Sequence, residues 1–356
     1  MGNRGDIRYI FTSSHTCQGF HSFIPDLVKS LSRVYILKGA PGTGKATFIR
    51  LLGEGLAERG YEVDFWLSAA DPLNPEGIYL PRLDLAVVNG SQGLALDPYY
   101  PGATGEIIHL EAYQDRESLR RQARGIIELI DRLEAEKQKV FQIMKQAAGV
   151  KREIKQRTAQ RLVMERINGL ADDLEEELFR EGPGERHFYA SAFSAEGSIN
   201  YVDEISRGCH RRYILKGPPG SAKSTVIAEI ACRGRTRGWY LEYYHCGLDL
   251  ESLVMMLIPG QGIALIDAGK AELSRRPGDV VIDMESYLAA AEPGEAEQET
   301  AGAERAYESL LGQAQAGLEN AHKTLTALKK LYGSVMDFAA LDDRREELLR
   351  EITGDN

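Results

Sequence analysis

Cysteine and tryptophan are scarce in this chain of 356 residues, with four cysteines (Cys17, Cys209, Cys232 and Cys246) and two tryptophans. No two cysteines stand in a C-x-x-C pair or at a disulfide-like spacing, which argues against a disulfide scaffold and suits a reducing compartment. "HTCQGFH" brings His15, Cys17 and His21 close together, and His245 adjoins Cys246, yet neither spacing matches a recognised metal-ligand pattern. Long apolar runs are missing too. No stretch of about 18 apolar residues occurs, so no membrane-spanning helix is expected. The opening "MGNRGDIRYIF" lacks the apolar core of a secretory signal, and Asp6 stands where myristoylation wants Ser or Thr. A cytoplasmic location is the expectation. Basic charge is in deficit: the net charge of −10 argues against broad nucleic-acid binding, which depends on neutralising phosphates.

What is present is a chain long enough for two cores, with the apolar and charged fractions of a soluble globular protein. It is also written twice. "RVYILKGAPGTGKATFI" from Arg33 aligns with "RRYILKGPPGSAKSTVI" from Arg211, at an offset of 178. The same offset relates Arg8, Ser13 and Gly19 to Arg186, Ser191 and Gly197, and Pro81 to Pro259. Chance does not keep two such motifs in register over that distance, so the pattern implies an internal duplication.

Each copy reads as an apolar strand ("VYILKG", "RYILKG"), a glycine-rich loop and a helix that stops at glycine. A second strand follows ("YEVDFWLSA", "WYLEYYHCG") and then a third ("LDLAVVNG", "GIALIDAG"). Strands alternating with helices predict an α/β fold with two parallel-sheet cores. After each core, over Asp115–Phe179 and from about Gln298 to Ile352, the composition turns helical. Apolar residues there step by four and three: Leu119, Ala123, Ile126, Ile130, Leu133, Lys137, Val140 and Met144 in the first copy. Tyr307, Leu311, Ala314, Leu318, Ala321, Leu325, Leu328 and Tyr332 do the same in the second. Gly149 and Gly333 sit where each long helix could turn back, so each core is expected to carry its own coiled-coil-like hairpin. The expected units are a core over 1–114, a hairpin over 115–182, a second core over 183–291 and a second hairpin over 292–356. "EGPGE" at 181–185 and "EPGE" at 292–295 mark boundaries. The hairpins are candidate surfaces for a protein partner or for self-association.

The glycine-rich loops carry the chemistry. A G-x-x-x-x-G-K loop opening a helix presents backbone N–H groups to a polyphosphate, and its lysine reaches the outer phosphates. In the first copy the loop is Gly39, Ala40, Pro41, Gly42, Thr43, Gly44, Lys45, Ala46 and Thr47. In the second it is Gly217, Pro218, Pro219, Gly220, Ser221, Ala222, Lys223, Ser224 and Thr225. Magnesium in such sites takes the hydroxyl after the lysine and an Asp at the end of an apolar strand. The second copy has both, Ser224 and Asp267, whereas the first has Ala46 and Asn89. ATP with Mg²⁺ is therefore expected at the second loop, with Lys223 and Asp267 as working groups, and the first is expected to be degenerate. Ala222 replaces a glycine, a substitution tolerated at negative φ and costly if the loop demands a glycine conformation. Asp249 is the candidate for positioning water, against the plainer role of capping a turn. "RGRTRG" (233–238) complements a helix dipole, or else supplies an arginine to the opposite phosphate site.

These residues resemble a bacterial family of tandem P-loop ATPases of unassigned physiological role. The resemblance rests on "YILKGAPGTGK", "YILKGPPGSAKST", "VVNGSQGLALDPYYPGATGEIIHL" and "YHCGLDLESLVMMLIPGQGIALIDAG". It implies ATP binding, with G-K-S/T in both loops and Asp at both strand ends; Ala46, Asn89 and Ala222 depart from that pattern. Three functions stay open: an ATPase with a regulatory first half, a small-molecule kinase using the second loop, and a non-catalytic scaffold acting through its helices.

Overall fold

The computed structural model describes residues 4–91, 95–177, 184–269, 273–289 and 295–354. Gly2 and residues 181–183 and 292–294 of the expected boundary segments lie outside these. The first half runs β1 (Ile7–Thr16), β2 (Gly19–Ser22), α1 (Ile24–Val28), β3 (Arg33–Lys38), α2 (Lys45–Glu58), β4 (Val63–Ser68), β5 (Asp71–Leu80), β6 (Leu85–Asn89) and β7 (Gly105–His109). Three helices follow: α3 (Arg116–Arg121), α4 (Ala123–Ala159) and α5 (Met164–Glu177). The second half runs β8 (Gly184–Tyr189), β9 (Ser191–Ser194), β10 (Gly197–Asn200), α6 (Val202–Ile205), β11 (Arg211–Lys216) and α7 (Lys223–Thr236). It continues with β12 (Tyr240–Cys246), β13 (Asp249–Ile258), β14 (Ile263–Asp267), β15 (Asp279–Asp283), α8 (Glu295–Gly333) and α9 (Phe338–Thr353).

The fold is mixed α/β. Among the described residues one 13-stranded sheet spans both halves, in the order β15-β11-β14-β13-β12-β8-β1-β4-β5-β6-β3-β7, with β2 on β1. Within each half the strands are parallel except β5 and β13, which run against both neighbours, and the antiparallel pairs β1–β2 and β9–β10. Neither strand is among the three that the sequence pattern predicts for each core. Instead the chain turns back at once, through bulged hairpins that bring Ser68 opposite Asp71 and Cys246 opposite Asp249. The halves meet where β1 lies antiparallel to β8, at Phe11 and Tyr189.

That seam is stitched reciprocally. Arg8 of the first half pairs with its own Asp64 at 2.8 Å and with Glu242 of the second half at 3.2 Å. Arg186, at the matching place, donates to the Tyr79 hydroxyl of the first half at 2.8 Å and stacks on its ring. A cation removed from Arg8 would leave two buried carboxylates unpaired, the costly situation for interior charge.

The helices do not form the expected hairpins. α4 runs straight through Gly149 and lies antiparallel against α8, so the long helix of each half pairs with that of the other. In this rod Ile126 and Leu133 pack with Ala321 and Leu328, and Val140 and Met144 with Ala314 and Leu318. Of the expected first seam, Ile130 is exposed and Lys137 pairs with Glu134, because the buried stripe of α4 recurs every seven residues. At about 1.5 Å per residue, α4 extends roughly 55 Å. Each half then crosses over: α5 packs on α7 of the second half, and α9 on α2 of the first. Both corners are pinned, with Val163 N donating to Tyr287 O and Asp337 N donating to Tyr113 O. Among the described residues no helix is long and apolar enough to cross a membrane.

Candidate functional site

Both glycine-rich loops connect the end of a buried strand, β3 or β11, to the start of a 14-residue helix, α2 or α7. These helices begin without any side-chain cap. The first N–H groups of a helix have no intrahelical partner, so an uncapped start offers them to an external acceptor. The residue before each helix is left-handed: Gly44 at φ 90° and Ala222 at φ 64°. Ala222 therefore sits in the glycine conformation, the costlier of the two outcomes framed above; an L-residue there costs about 1–2 kcal/mol.

Why alanine takes this left-handed position only in the second loop follows from the helices that cover the loops. A Cβ on Gly44 would come within 2.9 Å of Leu341 and 3.3 Å of Phe338, both on α9. Ala222 is buried in the cluster that holds Ile167, Leu170 and Ala171 of α5, where its methyl packs. The long helices touch the loops as well. A Cβ on Gly42 would collide with the Lys329 carbonyl of α8, and one on Gly220 with the Lys155 carbonyl of α4. Glycine at these positions lets helix backbone approach.

Both lysines turn into their own loops. Lys45 Nζ donates to Gly39 O at 2.5 Å, Ala40 O at 2.8 Å and Thr43 Oγ1 at 3.4 Å. Lys223 Nζ does the same with Gly217 O and Pro218 O at 2.8 Å and Ser221 Oγ at 3.3 Å. The strand ends also correspond. β6 places Asn89 opposite Leu37, and β14 places Asp267 opposite Leu215. Asn89 Oδ1 accepts from Ser91 N at 3.1 Å, and Asp267 Oδ1 from Gly269 N at 2.9 Å.

Electrostatics separate them. Asp267 Oδ1 lies 3.7 Å from Lys223 Nζ, giving the buried ammonium a carboxylate neighbour. Burial lowers Lys223 from its usual range while Asp267 opposes that, and burial raises Asp267 while Lys223 opposes it. Lys45 has the neutral Asn89 at the matching strand end. Burial pushes Lys45 down to about 8, with Lys329 adding to the effect and Glu111 opposing it. A neutral amide in that place leaves the first lysine without a strand-end carboxylate.

Ser224 is half-buried and lines a cavity of about 260 Å³ together with Asp249. Thus the structure brings Ser224 and Asp249 to one space, while Thr47 and Thr225 are exposed on the first helical turns. Asp249 accepts from Glu251 N at 3.2 Å and faces Lys155 at 3.6 Å, so it does cap a turn. The arginines of "RGRTRG" are engaged elsewhere: Arg233 pairs with Asp172, Glu175 and Glu229, and Arg237 with Glu175. His245 is engaged with β8 and its own hairpin, bonding His187 at 2.9 Å and the Leu250 carbonyl at 2.6 Å. His21 contacts the Tyr189 hydroxyl, and among the described residues no group of three or more His, Cys, Asp or Glu could hold a metal. Sequence reasoning missed the lysines that come from the long helices, Lys151, Lys155 and Lys329. Comparison with protein-family models, curated proteins and solved structures returned no match.

Proposed function

We propose that the chain is a nucleotide-binding protein of two duplicated P-loop cores, in which the second loop binds ATP with Mg²⁺ and hydrolyses it slowly. The observation that carries this is the group around Lys223: a loop lysine, a strand-end carboxylate 3.7 Å away and the hydroxyl of Ser224 next in the chain. Magnesium needs few protein ligands when phosphates supply the rest, so Ser224 and Asp267 suffice in kind. The ion would offset phosphate charge. Lys223 would hold the outer phosphates, and the uncapped start of α7 would receive the inner ones. The first loop keeps the same backbone but presents Ala46 and Asn89, and serves as a nucleotide-binding or structural partner without metal chemistry.

Titration of the full chain with a fluorescent ATP analogue in Mg²⁺, against Lys223→Ala and Lys45→Ala, tests this. The expected result is a larger loss from Lys223→Ala. Equal losses would remove the asymmetry, and no binding by the unaltered chain would leave a scaffold without nucleotide.

A further inference from the structure

The cavity beside Ser224 is walled by parts of both halves. Its floor is the second loop and the β12–β13 hairpin; its roof is α4, which follows the first core, and α8. From α4 come three cations, Lys151, Arg152 and Lys155, against the carboxylates of Asp249 and Glu251. Lys155 Nζ stands 3.6 Å from Asp249 and 3.3 Å from the Ser252 hydroxyl. Lys151 is half-buried. Its neighbours are the Cys246 sulfur at 3.9 Å and the Tyr307 ring at 5.9 Å, and among the described residues no carboxylate pairs with it. With no carboxylate at ion-pair distance, the ammonium keeps room for an anion at hydrogen-bond range, where a charge-assisted contact is strong. Cys246 above all, with Tyr307, Asp249 and Asp267, holds Lys151 above its usual range against burial, so it stays charged.

We propose that this cavity is a phosphoryl-anion site completed in trans: Lys151 and Lys155 of α4 receive the terminal phosphoryl group of the nucleotide held by the second loop. This rests on the proposed function of that loop. The size fits the role, because 260 Å³ is below the roughly 300–1,000 Å³ of whole-ligand pockets and suits one end of a ligand. Position fits as well, since Ser224 lines the cavity and the backbone of Lys155 touches Gly220. The consequence is that the second loop distinguishes ATP from ADP through residues carried by the first half.

Calorimetry on the full chain carrying Lys45→Ala, which leaves the second loop to be read alone, tests this with ADP and a non-hydrolysable ATP analogue in Mg²⁺. Adding Lys151→Gln and Lys155→Gln should weaken the ATP analogue by about tenfold or more, the worth of charged hydrogen bonds, and leave ADP within about twofold. Lys151→Arg with Lys155→Arg should restore the preference; Lys151→Gln alone, checked by its melting curve, serves if the double variant is unstable. Equal loss of both nucleotides, or no loss, overturns the proposal. Should neither nucleotide bind with the native lysines, the loop reading fails, and titration with inorganic phosphate decides the cavity separately. Phosphate binding that Lys151→Gln abolishes upholds it, and no such binding overturns it.

Discussion

Lys329 Nζ lies 2.7 Å from Asp71 Oδ2, 258 residues earlier in the chain, at the edge of the first glycine-rich loop. Its counterpart is Lys155, 3.6 Å from Asp249 beside the second loop. Each loop thus has at its rim a lysine–aspartate pair whose lysine arrives on the long helix of the opposite half. The reciprocity extends to α5 on α7 and α9 on α2, and to Arg8 and Arg186 across the β1–β8 seam. The last helix of each half, α5 or α9, thus covers the other half's core.

The crossover makes a prediction about truncation. Removing residues 337–356 deletes α9, whose buried Leu341, Leu348 and Leu349 belong to the core around α2 and β3. At about 1.5–3 kcal/mol per buried leucine, the loss is several kcal/mol and falls on the first core. Hydrogen exchange should show α2 and β3 losing protection while α7 and β11 keep theirs. Loss confined to α7 and β11 would contradict the crossover. Leu348→Ala should do the same more mildly, by about 2–5 kcal/mol.

Much of this was legible from residues. "VYILKG" and "RYILKG" gave buried strands, the glycine loops opened helices where expected, and Asn89 and Asp267 occupy matching strand ends. β5 was missed because "DPLNPEGIYL" has prolines at both ends of its exposed portion and becomes apolar only near Leu80. Which helix covers which core was not legible at all. A heptad stripe states that a face will be buried, not what will bury it, and the pairing of α4 with α8 is decided by how the halves join at β1 and β8. The cations of the cavity were invisible for the same reason: Lys151 and Lys155 look like the solvated face of a long helix until the opposite core is set beneath them.

The loop position occupied by Gly44 and Ala222 predicts opposite outcomes for exchange. Gly44→Ala adds a methyl at φ 90° against Leu341 and Phe338, which should cost about 1–3 kcal/mol from backbone and overpacking. Ala222→Gly relieves the left-handed strain but loses a buried methyl and stiffens nothing, so the melting temperature should move by no more than about 2–4 °C. Equal and large losses in both would show that the covering helices do not set the difference.

Acid should act through two half-buried groups of opposite sign. Burial, then His187, holds His245 down to about 4, with His21 in the same direction and Asp249 opposing. Between pH 6.5 and 4 the unfolded chain takes up a proton that folded His245 refuses, so stability is full above 6.5 and falls as pH drops. Glu76 runs the other way. Burial raises it to about 7 against the Ser13 and Ser68 hydroxyls, and its Oε1 is buried without a hydrogen-bond partner. Its folded form therefore gains protons first, and its penalty is relieved as pH falls from 7 to 4.5. Relative to the unaltered chain, lowering the pH from 7 to 5 should shift the urea midpoint upward in His245→Gln and downward in Glu76→Gln, each by up to about 1–3 kcal/mol. Unchanged slopes in both would mean that neither group titrates as its surroundings require.

Restoring the first loop is the sharpest check on the proposal that it lacks metal ligands. Asn89 sits opposite Leu37 as Asp267 sits opposite Leu215, and each strand-end side chain accepts from the backbone two residues on. Asn89→Asp should therefore put a carboxylate near Lys45 and raise that lysine from about 8 toward its ordinary range. It should not by itself bring magnesium dependence, because Ala46 offers no hydroxyl. In a chain silenced at the second loop by Lys223→Ala, Ala46→Ser alone should do equally little. The double change should make ATP binding depend on Mg²⁺, by about tenfold or more, with phosphate release as the second readout. Full recovery from Ala46→Ser alone would show Asn89 to be an adequate partner already. No recovery from the double change would point instead to α8 and α9, whose Lys329, Leu341 and Phe338 crowd Gly42 and Gly44, as what keeps the first loop from nucleotide.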